Sequence, residues 1–106
     1  REKQRGVYDM EVKEISVAGT LESSDVQIIL KPNPGGGLAV DLESDVKAIF
    51  GDAILETVYQ VCREMEVTEA AIEIHDKGAF DHVIRARLIA AILRAAKRDQ
   101  VDWERM

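Results

Sequence analysis

The chain has 106 residues, 46% of them hydrophobic and 32% charged, which suits one compact domain that buries its own core. Twenty acidic against fourteen basic residues give a net charge of −6, which disfavours binding to nucleic acid or to a membrane and favours basic protein partners. The single cysteine, Cys62, excludes an internal disulfide framework. No hydrophobic run approaches the length of a membrane span, and the polar first residues are not followed by the apolar core of an export signal. A soluble cytoplasmic protein is therefore expected.

Two predicted strands flank a polar turn near the start of the chain. Residues 11–18 alternate in polarity, with Ile15 and Val17 on the apolar side, and predict a half-buried or edge strand. Residues 26–30 predict a strand with one strongly apolar face. The small polar residues 19–25 between them predict an exposed turn, whose hydroxyl groups are open to modification.

A third strand follows a segment rich in proline and glycine. Residues 32–37 must end the second strand, because proline cannot donate a ladder hydrogen bond. Residues 38–43 alternate again and predict a third strand, which is expected to pair with the second as a hairpin with an irregular loop. The run of three glycines lacks the Lys-Ser/Thr pair that opens a helix in a phosphate-binding loop, so a nucleotide loop is not expected.

A long amphipathic helix is predicted next. Ser44 is a good N-cap, and Asp45 suits the positive end of the helix dipole. From Val46 to Met65, apolar residues recur every three or four positions and predict a stripe along five or more turns. Cys62 falls on this stripe, where a thiol is expected to be an inert core side chain.

The remaining pattern completes a small α/β domain. Residues 68–74 predict a buried strand that pairs in parallel with the third strand through a right-handed helical crossover. Residues 80–95 predict a second amphipathic helix. The order β-β-β-α-β-α predicts an α/β (α+β) two-layer sandwich, a small mixed sheet with both helices on one face. This domain is expected to cover residues 11–98, between a flexible segment over 1–10 and a tail over 99–106.

The sequence carries no catalytic or metal-binding pattern. His75 and His82 stand in no metal-ligand spacing, so no metal site is expected. Ser23 and Ser24 lie in no Gly-x-Ser-x-Gly elbow, and an unassisted hydroxyl is a weak nucleophile. The chain is expected to be acted upon rather than to be an enzyme. A serine pair between two acidic residues is, on residues alone, an ordinary strand connection.

Three separated blocks carry a resemblance to a known family. The blocks are Val-Ala-Gly-Thr-Leu-Glu-Ser-Ser-Asp at 17–25, Phe-Gly-Asp-Ala-Ile at 50–54, and Asp-Lys-Gly-Ala at 76–79, followed by Asp81 and by Ile-Arg-Ala-Arg-Leu at 84–88. In this order they resemble the acyl carrier protein, or gamma subunit, of bacterial citrate lyase, over about residues 15–97. The related carrier of malonate decarboxylase is the nearest alternative.

The resemblance implies a covalent cofactor on a serine. The serine after Thr-Leu-Glu, Ser23, would carry 2'-(5''-triphosphoribosyl)-3'-dephospho-CoA through a phosphodiester. Several members have glycine where Ser24 stands here, so Ser24 is the alternative attachment residue. An interaction module with unmodified serines and a regulatory phosphoprotein are the readings that need no such cofactor.

The resemblance also implies a non-catalytic carrier subunit within a larger complex. Acetyl and citryl thioesters on the cofactor would pass between the alpha (transferase) and beta (lyase) subunits as citrate is cleaved to acetate and oxaloacetate. A prosthetic-group transferase would be a further partner. The chemistry then belongs to these partners and to the cofactor thiol.

Two arginines of the second helix stand near the matched blocks. Arg85 and Arg87 diverge by about 200° around a helix, so they cannot both face one phosphate group. Pairing with Asp76, Asp81 or another carboxylate is the favoured role, and contact with the anionic cofactor is the alternative. The hypothesis is that charge reversal of Arg87 leaves modification of Ser23 intact but weakens docking or cofactor positioning.

Overall fold

The computed structural model describes residues 10–96 and confirms the order β-β-β-α-β-α. Residues 1–9 of the predicted flexible segment over 1–10, and the predicted tail over 99–106, lie outside the described residues, so the domain boundaries stay a prediction. Neither described helix has the length and apolar content that a membrane span needs. The elements are β1 Ser16–Gly19, β2 Val26–Lys31, β3 Leu38–Ser44, α1 Lys47–Glu64, β4 Ala70–Asp76 and α2 Asp81–Ala96.

The four strands form one mixed sheet in the order β1-β2-β4-β3. β2 is antiparallel to β1 and to β4, whereas β3 is parallel to β4. The predicted parallel pairing across the long helix is confirmed, and the predicted hairpin between β2 and β3 is wrong. β2 and β4 bury every second side chain along their length, whereas β3 buries only Leu42 fully. The two most apolar strands therefore share the centre, and β3 is left at an edge.

β1 is an edge strand, as predicted, but its buried face is the one opposite to the predicted apolar face. Ser16 and Ala18 point towards the helices, whereas Ile15 and Val17 are exposed. The Ser16 hydroxyl donates to the Ala91 carbonyl at 2.7 Å, so the polar side chain is satisfied in the layer between β1 and α2. Small side chains on this row let α2 pack close to the sheet, which periodicity alone does not reveal.

The core lies between the sheet and the two helices. Val26, Ile28 and Leu30 of β2 and Ile72 and Ile74 of β4 supply its sheet side. The helix side is made by Val58, Val61 and Cys62 of α1 and by Leu88 and Ile92 of α2. Cys62 is fully buried, which confirms that this cysteine is a core residue, and burial raises the pKa of its thiol to about 11.

α1 begins later than the sequence predicts. Ser44 still belongs to β3, and its hydroxyl donates to Asp76 Oδ2 at 2.7 Å and accepts from the Val46 amide at 3.1 Å. The N-cap is Val46, without a side-chain cap, and Asp45 lies outside the first helical turn. The capping prediction was wrong because the partner of the Ser44 hydroxyl lies on another strand, 32 residues further along the chain.

The buried stripe of each helix is also shorter than predicted. Ile49 and Phe50 in the first turn of α1 are 76% and 54% exposed, and Phe80 just before α2 is 70% exposed. The sequence placed all three on buried faces. The rest of residues 10–96 therefore covers these side chains only in part.

Candidate functional site

The predicted exposed turn is present between β1 and β2. The Asp25 amide donates to the Glu22 carbonyl at 3.1 Å, which closes a tight turn with Ser23 and Ser24 at its centre. The Ser23 side chain is exposed, and its hydroxyl has no hydrogen-bond partner among residues 10–96. A modifying enzyme can therefore reach this hydroxyl without breaking an interaction.

The second serine occupies a constrained backbone position. Ser24 has φ of +66°, in the left-handed region that favours glycine. Its amide donates to the Lys77 carbonyl at 2.8 Å, and the Lys77 amide donates to the Asp25 carbonyl at 2.9 Å. Ser24 is thus pinned to the turn after β4, while Ser23 projects from the tip.

Asp25 holds the turn from within. Its carboxylate accepts from the Thr20 hydroxyl at 2.6 Å and from the Thr20 amide at 3.1 Å. It also accepts from the Val26 amide at 2.8 Å, and the Thr20 hydroxyl in turn accepts from the Glu22 amide at 3.2 Å. One carboxylate therefore fixes both ends of the loop that presents Ser23.

Arg87 of α2 completes the support of Asp25. Arg87 Nε lies 3.1 Å from Asp25 Oδ1, and Arg87 Nη2 lies 3.0 Å from Asp25 Oδ2, a bidentate pair. The Thr20 hydroxyl and then the Arg87 guanidinium lower the pKa of Asp25 to about 2. Arg85 instead pairs with Glu64 at 2.8 Å. Both arginines thus bind carboxylates, the role that the sequence favoured.

Gly19 lets Arg87 and the loop come together. Gly19 has φ of +87°, and a Cβ atom added there would lie 1.8 Å from the Val26 carbonyl oxygen and 3.3 Å from Arg87 Cδ. Only glycine fits a position with this conformation and this close approach. The Val-Ala-Gly block of the sequence therefore has a structural role beneath the turn.

A second buried carboxylate ties neighbouring segments to the same end of the sheet. Asp76 is 1% exposed and accepts from the Gly78 and Ala79 amides at 3.2 and 3.0 Å, besides the Ser44 hydroxyl. The end of β3, the turn after β4 and the serine turn consequently form one connected unit. The sequence offered Asp76 as a candidate partner of Arg85 or Arg87, but those arginines pair with Glu64 and Asp25 instead. It assigned no role to Asp25, although the matched blocks contain both aspartates.

The histidines lie apart from this hydrogen-bond network. His75 stands on the open face of the sheet between Glu73 and Glu43, at 2.8 and 2.7 Å, and these carboxylates raise its pKa. His82 is exposed and stacks on Phe80 with ring centroids 5.9 Å apart. Across residues 10–96, no group of three His, Cys, Asp or Glu side chains is arranged to hold a metal ion.

Comparison with known proteins identifies the family. The family model described as the malonate decarboxylase delta subunit (MdcD), an acyl carrier protein, matches residues 13–95. A citrate lyase acyl carrier protein from Weissella paramesenteroides is 51% identical over 96 residues, which cover 90% of this chain and 98% of the relative. The chain belongs to the citrate lyase acyl carrier protein family.

Further comparisons agree with this family at the level of sequence and of fold. The citrate lyase acyl carrier protein from Lactococcus lactis subsp. lactis strain IL1403 is 47% identical over 95 residues, 90% of this chain and 98% of the relative. A chain in the crystal structure of a Pseudomonas malonate decarboxylase hetero-tetramer in complex with malonate superposes with a TM-score of 0.72, over 81% of this chain and 88% of that one. At 21% identity, this likeness concerns the fold alone.

Proposed function

We propose that the chain is an acyl carrier subunit that bears a covalently attached prosthetic group on Ser23. Membership of the acyl carrier family supports a carrier role and a covalent prosthetic group. The observation that carries the assignment to Ser23 is its exposed, unpaired hydroxyl at the tip of a turn that Asp25 and Arg87 hold in place.

The residues around Ser23 suit a phosphodiester-linked group. The hydroxyl projects into solvent, so a bulky group can be joined there without displacing a core side chain. The negative charge of Asp25 is offset by Arg87 at 3.0 Å, which reduces its repulsion of a nearby phosphate. The proposed group is 2'-(5''-triphosphoribosyl)-3'-dephospho-CoA, which supplies a terminal thiol that holds an acyl group as a thioester.

The contribution of this chain is to present and position the tether. Five hydrogen bonds to the Asp25 carboxylate fix the base of the loop, so the attachment point keeps one place on the surface. A tethered acyl group reaches successive active sites at a high effective concentration without dissociating. In the proposed complex, the transferase (alpha) and lyase (beta) subunits act in turn on the acyl group as citrate is cleaved to acetate and oxaloacetate in the cytoplasm.

Intact-protein mass spectrometry with peptide mapping tests this function. The chain is co-expressed with the enzymes that synthesise and transfer its own prosthetic group, and an adduct of dephospho-CoA type is expected on Ser23. Ser23→Ala should remove the adduct. Ser24→Gly should keep it, because glycine suits φ of +66° and removes only the second hydroxyl.

Three results would contradict the assignment. An adduct that survives in Ser23→Ala and is lost in Ser24→Gly would place the group on Ser24. A mass increase of one phosphate would indicate a regulatory phosphoprotein. An unmodified chain, under conditions in which a known carrier is charged, would leave an interaction module.

A carrier of malonate decarboxylase type is the second candidate. The description of the matching family model favours it, and one chain of the Pseudomonas complex shares the fold. The identities of 47% and 51% to citrate lyase carriers favour the first candidate over it. Reconstitution of the charged chain with the subunits of each complex distinguishes the two, because only the correct set of subunits should turn over its substrate.

A further inference from the structure

An apolar groove opens beside the serine turn. It has a volume of about 310 Å³ and lies between the start of α1 and the turn that leads into α2. Its walls include Val46, Phe50 and Ala53 on one side and Ala79, Phe80 and Ile84 on the other. Apart from Asp81, whose carboxylate accepts from the Thr57 hydroxyl, the groove is lined by apolar side chains or glycine.

The two phenylalanines at this groove are unusually exposed. Phe80 is 70% and Phe50 is 54% exposed, and Ile49 next to Phe50 is 76% exposed. Leu21, in the serine turn itself, is 55% exposed. Two large exposed apolar side chains, Phe50 and Phe80, that line one groove of a small acidic domain are typical of an interaction site.

The groove and Ser23 belong to the same end of the molecule. Ser24, the residue after Ser23, donates a hydrogen bond from its amide to the Lys77 carbonyl. The two residues that follow Lys77, Gly78 and Ala79, line the groove. Any protein that takes a group tethered to Ser23 into its active site must approach this end. The groove is therefore within the area that such a protein covers.

Charge adds a preference for the kind of partner. Asp81 is the charged residue that lines the groove, and Lys77 Nζ lies 4.0 Å from Asp45 nearby. The chain as a whole carries a net charge of −6, which attracts a basic surface.

We propose that this groove is the docking surface for the catalytic subunits that act on the group at Ser23, an inference that rests on the proposed function. The matching surface of such a subunit presents a projecting apolar side chain ringed by Lys or Arg. The apolar insertion provides affinity, and the charges orient the carrier so that Ser23 faces the active site.

Charge favours this occupant over two others. A second copy of the chain would bring its own net charge of −6 against the first, and like charges oppose that contact. The prosthetic group is anionic near its attachment point, whereas the groove is lined by apolar side chains and Asp81, which offer an anion no cation. A basic protein surface has neither disadvantage.

Binding to the purified transferase and lyase subunits of the same organism tests the proposal. Dissociation constants are measured by titration calorimetry with the Ser23→Ala chain, so that no tethered group takes part. The double variant Phe50→Ser/Phe80→Ser should weaken binding by about tenfold or more. Tyr59→Ser is the matched control, since Tyr59 is 41% exposed on α1 but does not line the groove. It should bind within about twofold of the parent.

The thermal unfolding curve of each variant establishes that it is folded, which is expected because Phe50, Phe80 and Tyr59 are 54%, 70% and 41% exposed. Unchanged binding of the double variant would overturn the proposal. The proposal would also be overturned if the parent chain sediments as a dimer and the double variant as a monomer, because the groove would then serve self-association. If the charged double variant binds normally but its thioester hydrolyses faster, the groove shelters the tethered group instead.

Failure of the proposed function gives a different result. A chain that receives no adduct on Ser23 contradicts the carrier assignment, whereas the docking measurement uses a chain without that group. Adding salt gives a second readout, because the proposed basic ring predicts that binding of the parent weakens as ionic strength rises.

Discussion

Asp25 and Ser23 divide the work of the candidate site at the scale of single residues. Ser23 offers a hydroxyl that nothing among the described residues binds, and Asp25, two residues later, uses both of its oxygens inside the protein. The proposed attachment residue is therefore free while its support is held by hydrogen bonds. Asp25 gains this role from Thr20, five residues earlier, and from Arg87, 62 residues later.

Removal of the Asp25 charge should destabilise the domain and the serine turn. Asp25→Asn keeps the shape of the side chain but loses the charged pair with Arg87 and one or more hydrogen bonds. We expect the free energy of unfolding to fall by about 1 kcal/mol. Urea denaturation of both proteins at about pH 7 measures this difference.

The same substitution has a defined pH dependence. Because folding lowers the pKa of Asp25 to about 2, its charged form stabilises the folded state above the unfolded pKa of about 4. That contribution is lost as the pH falls from about 4 to about 2. The difference between Asp25→Asn and the parent should shrink over this range. A difference that stays constant down to about pH 2 would show that charge is not the cause.

Two connections at the scale of elements determine the geometry of the site: the crossing of β1 into the serine turn, and the packing of α2 beneath it. Gly19 and Arg87 are the residues at which these elements meet. Gly35 and Arg85 are residues of the same types that lack these contacts, so each substitution has a matched control.

Gly19→Ala should be strongly destabilising. Its Cβ would meet the Val26 carbonyl oxygen at 1.8 Å, so β1 and β2 must separate. Gly35 has a comparable φ of +77° but no atom within 4 Å of an added Cβ. We expect a loss of about 3 kcal/mol or more for Gly19→Ala and about 1 kcal/mol for Gly35→Ala. Equal losses in thermal or urea unfolding would show that backbone conformation alone matters.

Arg87→Gln should slow the modification of Ser23. Without the guanidinium, Asp25 loses the bidentate contact that fixes the base of the turn. We expect a rate of adduct formation about tenfold lower, as a loss of about 1.4 kcal/mol in the reactive complex would give. Arg85→Gln removes only the contacts with Glu64 and Gln60 and is the control.

This expectation replaces the hypothesis that charge reversal at Arg87 leaves modification intact. That hypothesis gave Arg87 a role in docking or cofactor positioning, whereas its guanidinium binds Asp25 within the serine turn. Mass spectrometry over a time course checks the new expectation. Identical rates for the two glutamine variants would restore the earlier hypothesis.

The sequence predicted the elements better than their partners. Alternation identified β2 and β4, because each buries a regular apolar row. It could not show that β4 lies between β2 and β3, since that choice depends on which strands are most apolar overall. The Asp25–Arg87 pair was likewise beyond reach, because no spacing rule links side chains 62 residues apart.

At the scale of the whole molecule, the core and the site lie in different parts of one small domain. The buried rows of β2 and β4 and both helices surround Cys62, while the serine turn and the groove occupy one end of the sheet. Ile49, Phe50 and Phe80 lie at that end and are exposed, although the sequence placed them on buried faces. Periodicity indicates which residues share a face, but not where the covering layer stops.

Cys62 should report on opening of the whole domain. In the Ser23→Ala chain it is the only thiol in the sequence, and it is fully buried with its pKa raised to about 11. We expect a disulfide reagent to label it only in molecules that open, so that labelling accelerates with denaturant as unfolding does. Rapid labelling of a chain shown to be folded would contradict its burial.

The distance along the chain between Asp25 and Arg87 has a consequence for biosynthesis. During translation, residues 20–25 leave the ribosome long before α2, so a nascent chain has the serine but not the arginine that shapes the turn. An enzyme that recognises the finished turn would pass over incomplete or truncated chains. Attachment of the prosthetic group would then act as quality control, restricted to polypeptides in which α2 has docked.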